Sequence, residues 1–388
     1  MNAFASITSA GFAATAVTYG PARMGFGLFL NSLREHFEMD AGTAGLISAL
    51  GFSGFLLAVP GGYVLAARAG PRTPVVIGLA LAAAGMGVIA AAQGVVMLAA
   101  GAVLAMSSAG FSWAPFNAAA HHHLDDTERP DALSIVSTGT SAGIVAAALA
   151  ALGLGAADLS WRAAWAGFAL AGALAMAAAM VLLGGAGCGP RARTGAPRRL
   201  VSRRAGPLYL VAFAFGALST VYISFAADRI SRAGGVPGAP DAAASGVLFT
   251  MFGIAGLAGL FTGRVGKRLG VSMLLRVLFA ACAASFALIA IAPGSLNAVL
   301  ASAALQGAFV MMISATLAFW SERLFYNLPS MSFTAALLAA ACGAVLGPLL
   351  AGYGVDAFGF TALFTTLAAA SAALALLMPP RMPGAPGN

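Results

Sequence analysis

Arg23 is the one charged residue set well inside a long apolar run of this sequence. It stands beyond the middle of its run, by roughly 7 Å at 1.5 Å per helical residue. Holding an arginine within a hydrocarbon layer costs at least about 2.5–3.5 kcal/mol, so such a residue faces a cavity, meets a partner, or snorkels to the headgroups. Tyr19 lies one helical turn below it, and Gly20 and Gly27 flank the same stripe. The glycines suit close helix packing equally well. No acidic residue falls in the middle of any apolar run, the nearest being Asp228 and Asp356 at run ends. A guanidinium without an intramembrane counter-ion presents a planar two-donor fork, which matches a carboxylate or another flat anion. That chemistry is recognition of a small organic anion.

Other polar side chains fall on helical faces that could complete such a site. Gly110, Trp113, Asn117 and His121 are spaced three, four and four, so they share a face. Trp113 and the nearby Phe116 could wall a cavity and Asn117 could hydrogen-bond inside it; packing and an interhelical bond are the alternative. Thr138 stands between Ser134 and Ser141, Tyr209 and Phe213 precede Gly216 and Thr220, and Gln306 is the notable polar residue of its run. Three consecutive histidines, His121 to His123, fan out by about 100° each on a helix and do not converge on one metal. Solvated helix-end histidines, or a proton-coupling role for His121, remain open. Cys188, Cys282 and Cys342 lack ligand-like spacing and read as small apolar filler. No metal or other cofactor is expected. With no P-loop, HExxH motif or GxSxG elbow, neither ATP drive nor hydrolytic chemistry is supported, and the chain does not read as an enzyme.

The elements that must carry these residues are membrane helices. Hydrophobic residues make up 60% of the 388 and charged ones only 8%, against about 25% charged in soluble domains. Apolar runs of roughly 20 residues, the length a bilayer core demands, occur near 8–30, 43–65, 74–92, 95–118, 132–152, 163–184, 206–227, 243–263, 272–292, 297–319, 331–352 and 361–379. The first is read as a span rather than a cleaved leader, because no basic segment precedes it. With the N-terminus in the cytoplasm, fifteen of the twenty Lys and Arg residues fall in inside connectors and four outside. The positive-inside rule then places both termini in the cytoplasm of a multi-pass inner-membrane protein. Segment 185–205, with six arginines and no acid, reads as a basic linker against anionic lipid, dividing a bundle of residues 1–184 from one of 206–388. The +8 net charge is therefore an orienting charge and not a nucleic-acid footprint.

The halves repeat at an offset of about 200 residues. Arg68, Gly70 and Arg72 follow the second run; Lys267, Arg268 and Gly270 follow the eighth. Glu128 and Arg129 follow the fourth; Glu322 and Arg323 follow the tenth. Gly143 opens a run of small residues matched by Gly343 to Pro348. These residues resemble the major facilitator superfamily over essentially the whole chain. Its signature, Gly-x-x-x-Asp-Arg-x-Gly-x-Arg, is met by Arg68, Gly70 and Arg72, but Ala67 replaces the aspartate and Tyr63 the first glycine. The second copy keeps Gly263, Arg268 and Gly270, with Lys267 at the acidic position. Tyr19 to Gly27 and Trp113 to Asn117 are similar to the YbfB/YjiJ branch. The resemblance implies an all-α membrane protein with twelve transmembrane helices in two six-helix bundles. The bundles would be related by pseudo-two-fold symmetry and rock around a midplane site.

The expected function is secondary active transport of a small organic solute, an anion, by a monomer working through alternating access. The alternatives are efflux of amphipathic drug-like compounds and, more remotely, a membrane-embedded enzyme or sensor. With Ala67 in the latch position, the cytoplasmic gate is expected to use Arg68, Gly70, Arg72 and Arg129 with Asp125, Asp126 and Glu128. Arg268, Gly270, Glu322 and Arg323 are the counterparts in the second half.

Overall fold

The structure, a computed structural model, describes residues 3–125, 127–157, 159–184, 205–235, 243–324 and 329–379, and every regular element there is helical. The first expected span, 8–30, falls on two helices, α1 (Ala3–Tyr19) and α2 (Pro21–Leu28), and α3 (Leu30–His36) follows from its end. The break has a local cause. Pro21 has no N–H to give the carbonyl one turn earlier, and Gly20 takes a non-helical ψ of −107°. Next come α4 (Ala41–Ala69), α5 (Arg72–Ala90), α6 (Val95–Ser107) and α7 (Trp113–His123), the last two joined by a 3-10 turn at Ser108–Phe111. Then follow α8 (Arg129–Ala156), α9 (Trp161–Leu182), α10 (Gly206–Arg232), α11 (Ala243–Gly256), α12 (Thr262–Ile291), α13 (Leu296–Leu324) and α14 (Pro329–Leu377).

Among the described residues, eight helical stretches are long and apolar enough to cross a membrane, by length and composition. Two of these, Ala243–Ile291 and Ser332–Leu377, run to 49 and 46 residues, about twice what one span needs. The sequence separates each into two runs, and the backbone leaves the helical conformation between them. The join is a single glycine, Gly270 (φ 76°) or Gly359 (φ 81°), in the left-handed region that side chains resist. Gly70, closing α4, has φ 77°. The two signature glycines, Gly70 and Gly270, therefore do the same job 200 residues apart: each turns the chain sharply between helices.

The contacts group the chain into two compact units, Met1–Phe29 with Leu50–Ala196, and Leu30–Ala49 with Pro197–Asn388. In the first unit α1 packs on α8 and α5 on α9. The α1–α8 crossing is close enough for backbone to touch backbone: a Cβ on Gly143 would lie 2.6 Å from the Ala16 carbonyl carbon. Thr15 Oγ1 also donates to the Val136 carbonyl at 2.6 Å across it. Small residues at such crossings bring helices together where lipid offers no hydrophobic drive.

The second unit repeats the pairing. There α10 packs on α14, and a Cβ on Gly343 would meet the Phe213 backbone at 2.9 Å. Its core also holds a hydroxyl cluster. Tyr222 Oη lies 2.9 Å from Ser302 Oγ, and Ser285 and Ser302 each donate to the other's carbonyl at 2.9 Å. Hydroxyls that bond one another and nearby backbone carry little penalty in an apolar interior. Where α4 begins, hydrogen bonds from the Thr43 hydroxyl and then from the Thr43 N–H, the latter an N-cap bond at 2.6 Å, hold the Asp40 carboxyl below the usual carboxylate range.

Candidate functional site

The site residue with the most distinctive surroundings is Arg23, in the first unit. Placed just after the Gly20–Pro21 break, it sends its guanidinium among three aromatic rings. Its Cζ lies 5.4 Å from the Tyr19 centroid, 5.4 Å from Phe52 and 4.6 Å from Phe55. Tyr19 ends α1 just before the break, four residues from Arg23 as the spacing indicates. Phe52 and Phe55 come from α4 and are both buried. They sit three apart, so one face of α4 presents both rings. Sequence reasoning missed them, because two phenylalanines three apart in an apolar span carry no mark of their own.

Magnitudes separate what the rings do from what they leave undone. A desolvated cation–π contact is worth up to about 2 kcal/mol, so three of them can offset an insertion cost of about 2.5–3.5 kcal/mol. They hold the charge through the π faces, however, and satisfy none of the five N–H donors. Arg23 Nε is buried without a hydrogen-bond partner among the described residues. Neither ion pair found there includes Arg23. The side chain turns toward α4 and its rings, which argues against a snorkelling anchor. A planar cation held by rings, with donors to spare, is equipped to bind an anion edge-on.

Other expected site residues take varied positions. Trp113 begins α7 and is partly exposed, while Phe116 is buried against Gly11, where it serves packing between α7 and α1. The side chains of Asn117 and His121 lie outside the described residues. Thr138 donates its hydroxyl to the Ile135 carbonyl of its own helix at 2.7 Å. In the second unit Tyr209 is partly exposed and Phe213 is 36% exposed, so neither is sealed in a core. Gln306 is fully buried, its amide without a hydrogen-bond partner among the described residues. One buried polar atom was not anticipated: Trp165 Nε1, whose ring covers Gly25, has no partner there either.

Of the expected gate, Arg68, Arg72, Asp125, Glu128, Arg268 and Arg323 are exposed, and Arg129 Nε donates to the Leu124 carbonyl at 2.9 Å. Among the described residues no ion pair joins Arg68 or Arg72 to Asp125 or Glu128. Asp126, the Glu322 side chain and linker residues 185–204 lie outside the described residues. Among the described residues no group of three or more His, Cys, Asp or Glu side chains could hold a metal ion.

The fold has known counterparts. A mutant of the nucleoside transporter NupG superposes with a TM-score of 0.76 at 14% identity, covering 97% of this chain and 99% of that one. A bacterial homologue of the human lysosomal transporter Spinster, inward-facing and unoccupied, gives 0.68 at 17% identity over 97% and 95%. A POT family transporter in complex with 5-aminolevulinic acid gives 0.78 at 12% identity over 96% and 94%. At such identities the likeness concerns fold alone. A search of curated proteins finds no match. The sequence profile of the Major Facilitator Superfamily, however, matches residues 11–227, more than half of the chain. A multi-pass membrane protein of this kind is a transporter and not an enzyme: the chain belongs to the Major Facilitator Superfamily.

Proposed function

We propose that this protein is a secondary active transporter carrying a small organic anion, carboxylate-like, across the inner membrane by alternating access. The observation that carries the reading is Arg23: a cation held by three rings, with a buried Nε that no described residue engages. Arg23 grips the anion and Tyr19 orients it, with Trp113, Asn117 and Thr138 of the same unit completing the surroundings and His121 as a proton-coupling residue. Tyr209, Phe213 and Gln306 are the second unit's candidates. The protein works as a monomer with both termini cytoplasmic. Its twelve spans form bundles of residues 1–184 and 206–388, joined by the basic linker 185–205. The recurring α1–α8 and α10–α14 pairings support the two-fold repeat, and the Tyr19–Gly27 and Trp113–Asn117 patterns support placement in the YbfB/YjiJ branch.

A melting-temperature screen of the detergent-solubilised protein tests the substrate class. Benzoate and 5-aminolevulinic acid should stabilise it in a concentration-dependent way, by about 2.7 kcal/mol at a hundred times the dissociation constant. Benzamide and uridine should not. Stabilisation by neutral amphipathic compounds alone would favour the efflux reading instead.

The cytoplasmic gate is proposed to close through Arg68, Arg72 and Arg129 against Asp125, Asp126 and Glu128, with Gly70 turning the chain. Arg268, Gly270, Glu322 and Arg323 make the matching set. Neutralising Asp125, Asp126 and Glu128 together should raise the inward-open population in a spin-label distance measurement across the inner face. Unchanged distances would remove these acids from the gate.

A further inference from the structure

Arg23 carries a fixed positive charge that no acid of the described residues is placed to cancel. The sequence holds twelve Asp and Glu residues, and none falls within the middle of an apolar run. The nearest along the chain, Glu35, comes roughly three helical turns later and is exposed. Of the first unit's acids, Asp125, Glu128 and Asp131 are exposed around the start of α8. Neither ion pair among the described residues includes Arg23. Its charge is also permanent, because a guanidinium does not deprotonate in proteins. Tyr19, Phe52 and Phe55 attract that charge through their faces, with Cζ 5.4, 5.4 and 4.6 Å from the centroids. A ring face offers no lone pair to an N–H, however. Nε is buried without a partner among the described residues, while the side chain as a whole keeps partial exposure. The donors that remain depend on water or on an anion.

We infer that this protein is an anion exchanger rather than a one-way carrier: it changes sides readily with an anion on Arg23 and slowly without one. The inference rests on the anion-transport reading and adds the coupling to it. Alternating access includes a step in which the site is closed to both sides of the membrane. In that step an unpaired Arg23 is a desolvated cation with unsatisfied donors, which is costly in an apolar interior. An Arg23 holding a monoanion passes the same step as a neutral, hydrogen-bonded pair. The carrier that has delivered one anion therefore returns fastest with another, and uptake is matched by release. One fixed cation balances one negative charge, so monoanions are the pair that it exchanges best.

The test uses the full chain in proteoliposomes, with radiolabelled benzoate as the probe. Uptake into vesicles preloaded with unlabelled benzoate should be at least about tenfold faster than uptake into unloaded vesicles. Equal rates would overturn exchange and leave anion transport in place. Flux in neither preparation would overturn the anion reading, and exchange with it. A second measurement follows switching itself, by single-molecule energy transfer between dyes across the inner face of the chain with Cys188, Cys282 and Cys342 replaced. Benzoate should speed switching of the parent at least about tenfold. Arg23→Ala removes the charge, and Phe55→Glu sets a carboxylate within reach of the guanidinium. Both variants should switch fast without benzoate and ignore its addition. Agreement between two opposite substitutions separates the charge from the loss of one side chain, and should one fail to fold, the other decides. Switching as slow as in the benzoate-free parent would overturn the inference.

Discussion

Arg23→Lys is expected to weaken binding of the substrate anion roughly 10- to 100-fold although it keeps the positive charge. The loss corresponds to one charge-assisted hydrogen bond, about 1.5–3 kcal/mol. An ammonium cannot lie flat among Tyr19, Phe52 and Phe55 while presenting two parallel donors. Arg23→Ala should go further, by more than about 100-fold, because the anion then has no counter-charge. Folding should respond quite differently. The alanine variant loses three cation–π contacts but escapes the cost of holding a guanidinium in a span, and these are of similar size. Its melting temperature should therefore stay within a few degrees of the parent. Loss of binding together with collapse of the fold would instead mark Arg23 as a structural cation.

The largest effect on folding is expected from Gly143→Val. Its Cβ would fall 2.6 Å from the Ala16 carbonyl carbon and 2.7 Å from Ala16 Cα. Both atoms are backbone, so no side chain can swing aside. Only separation of α1 from α8 relieves the clash, and that also breaks the Thr15 hydrogen bond to Val136. Overpacking costs about 1–3 kcal/mol when side chains can adjust. Here the cost should reach or exceed the upper end, a large share of a marginal stability. Gly153→Val on the same helix is the control, since its Cβ would meet nothing within 4 Å. Thermal melts in detergent should show Gly143→Val several degrees lower or failing to accumulate, with Gly153→Val unchanged. Equal melts for the two would mean that the α1–α8 crossing does not hold the unit together.

How far the sequence speaks depends on which physical term acts. Apolar runs and the repeated glycines were readable because hydrocarbon thickness and positive φ constrain residue type directly. Gly70 and Gly270 show this well: only the backbone conformation of each explains why both copies retain glycine there. Facing residues on separate helices were not readable. Spacing places Tyr19 and Arg23 on one stripe, but nothing along the chain says that Phe52 and Phe55 close over them. Charges at span ends misled for a related reason. Arg34 and Asp228 look like solvated connector residues until they prove to be 194 positions apart and paired in a buried contact. The interruption at Gly20–Pro21 was visible as residues, though its use in presenting Arg23 was not.

Arg23 is expected to handle an anion that the protein moves. The direct measurement is uptake of the best-stabilising carboxylate by proteoliposomes containing the parent or Arg23→Ala, reconstituted in equal amounts. Saturable uptake in the parent, reduced to the protein-free leak in Arg23→Ala at unchanged melting temperature, is the predicted result. Normal uptake by Arg23→Ala would contradict it, leaving Arg23 an anchor among aromatic rings and the anionic substrate without support.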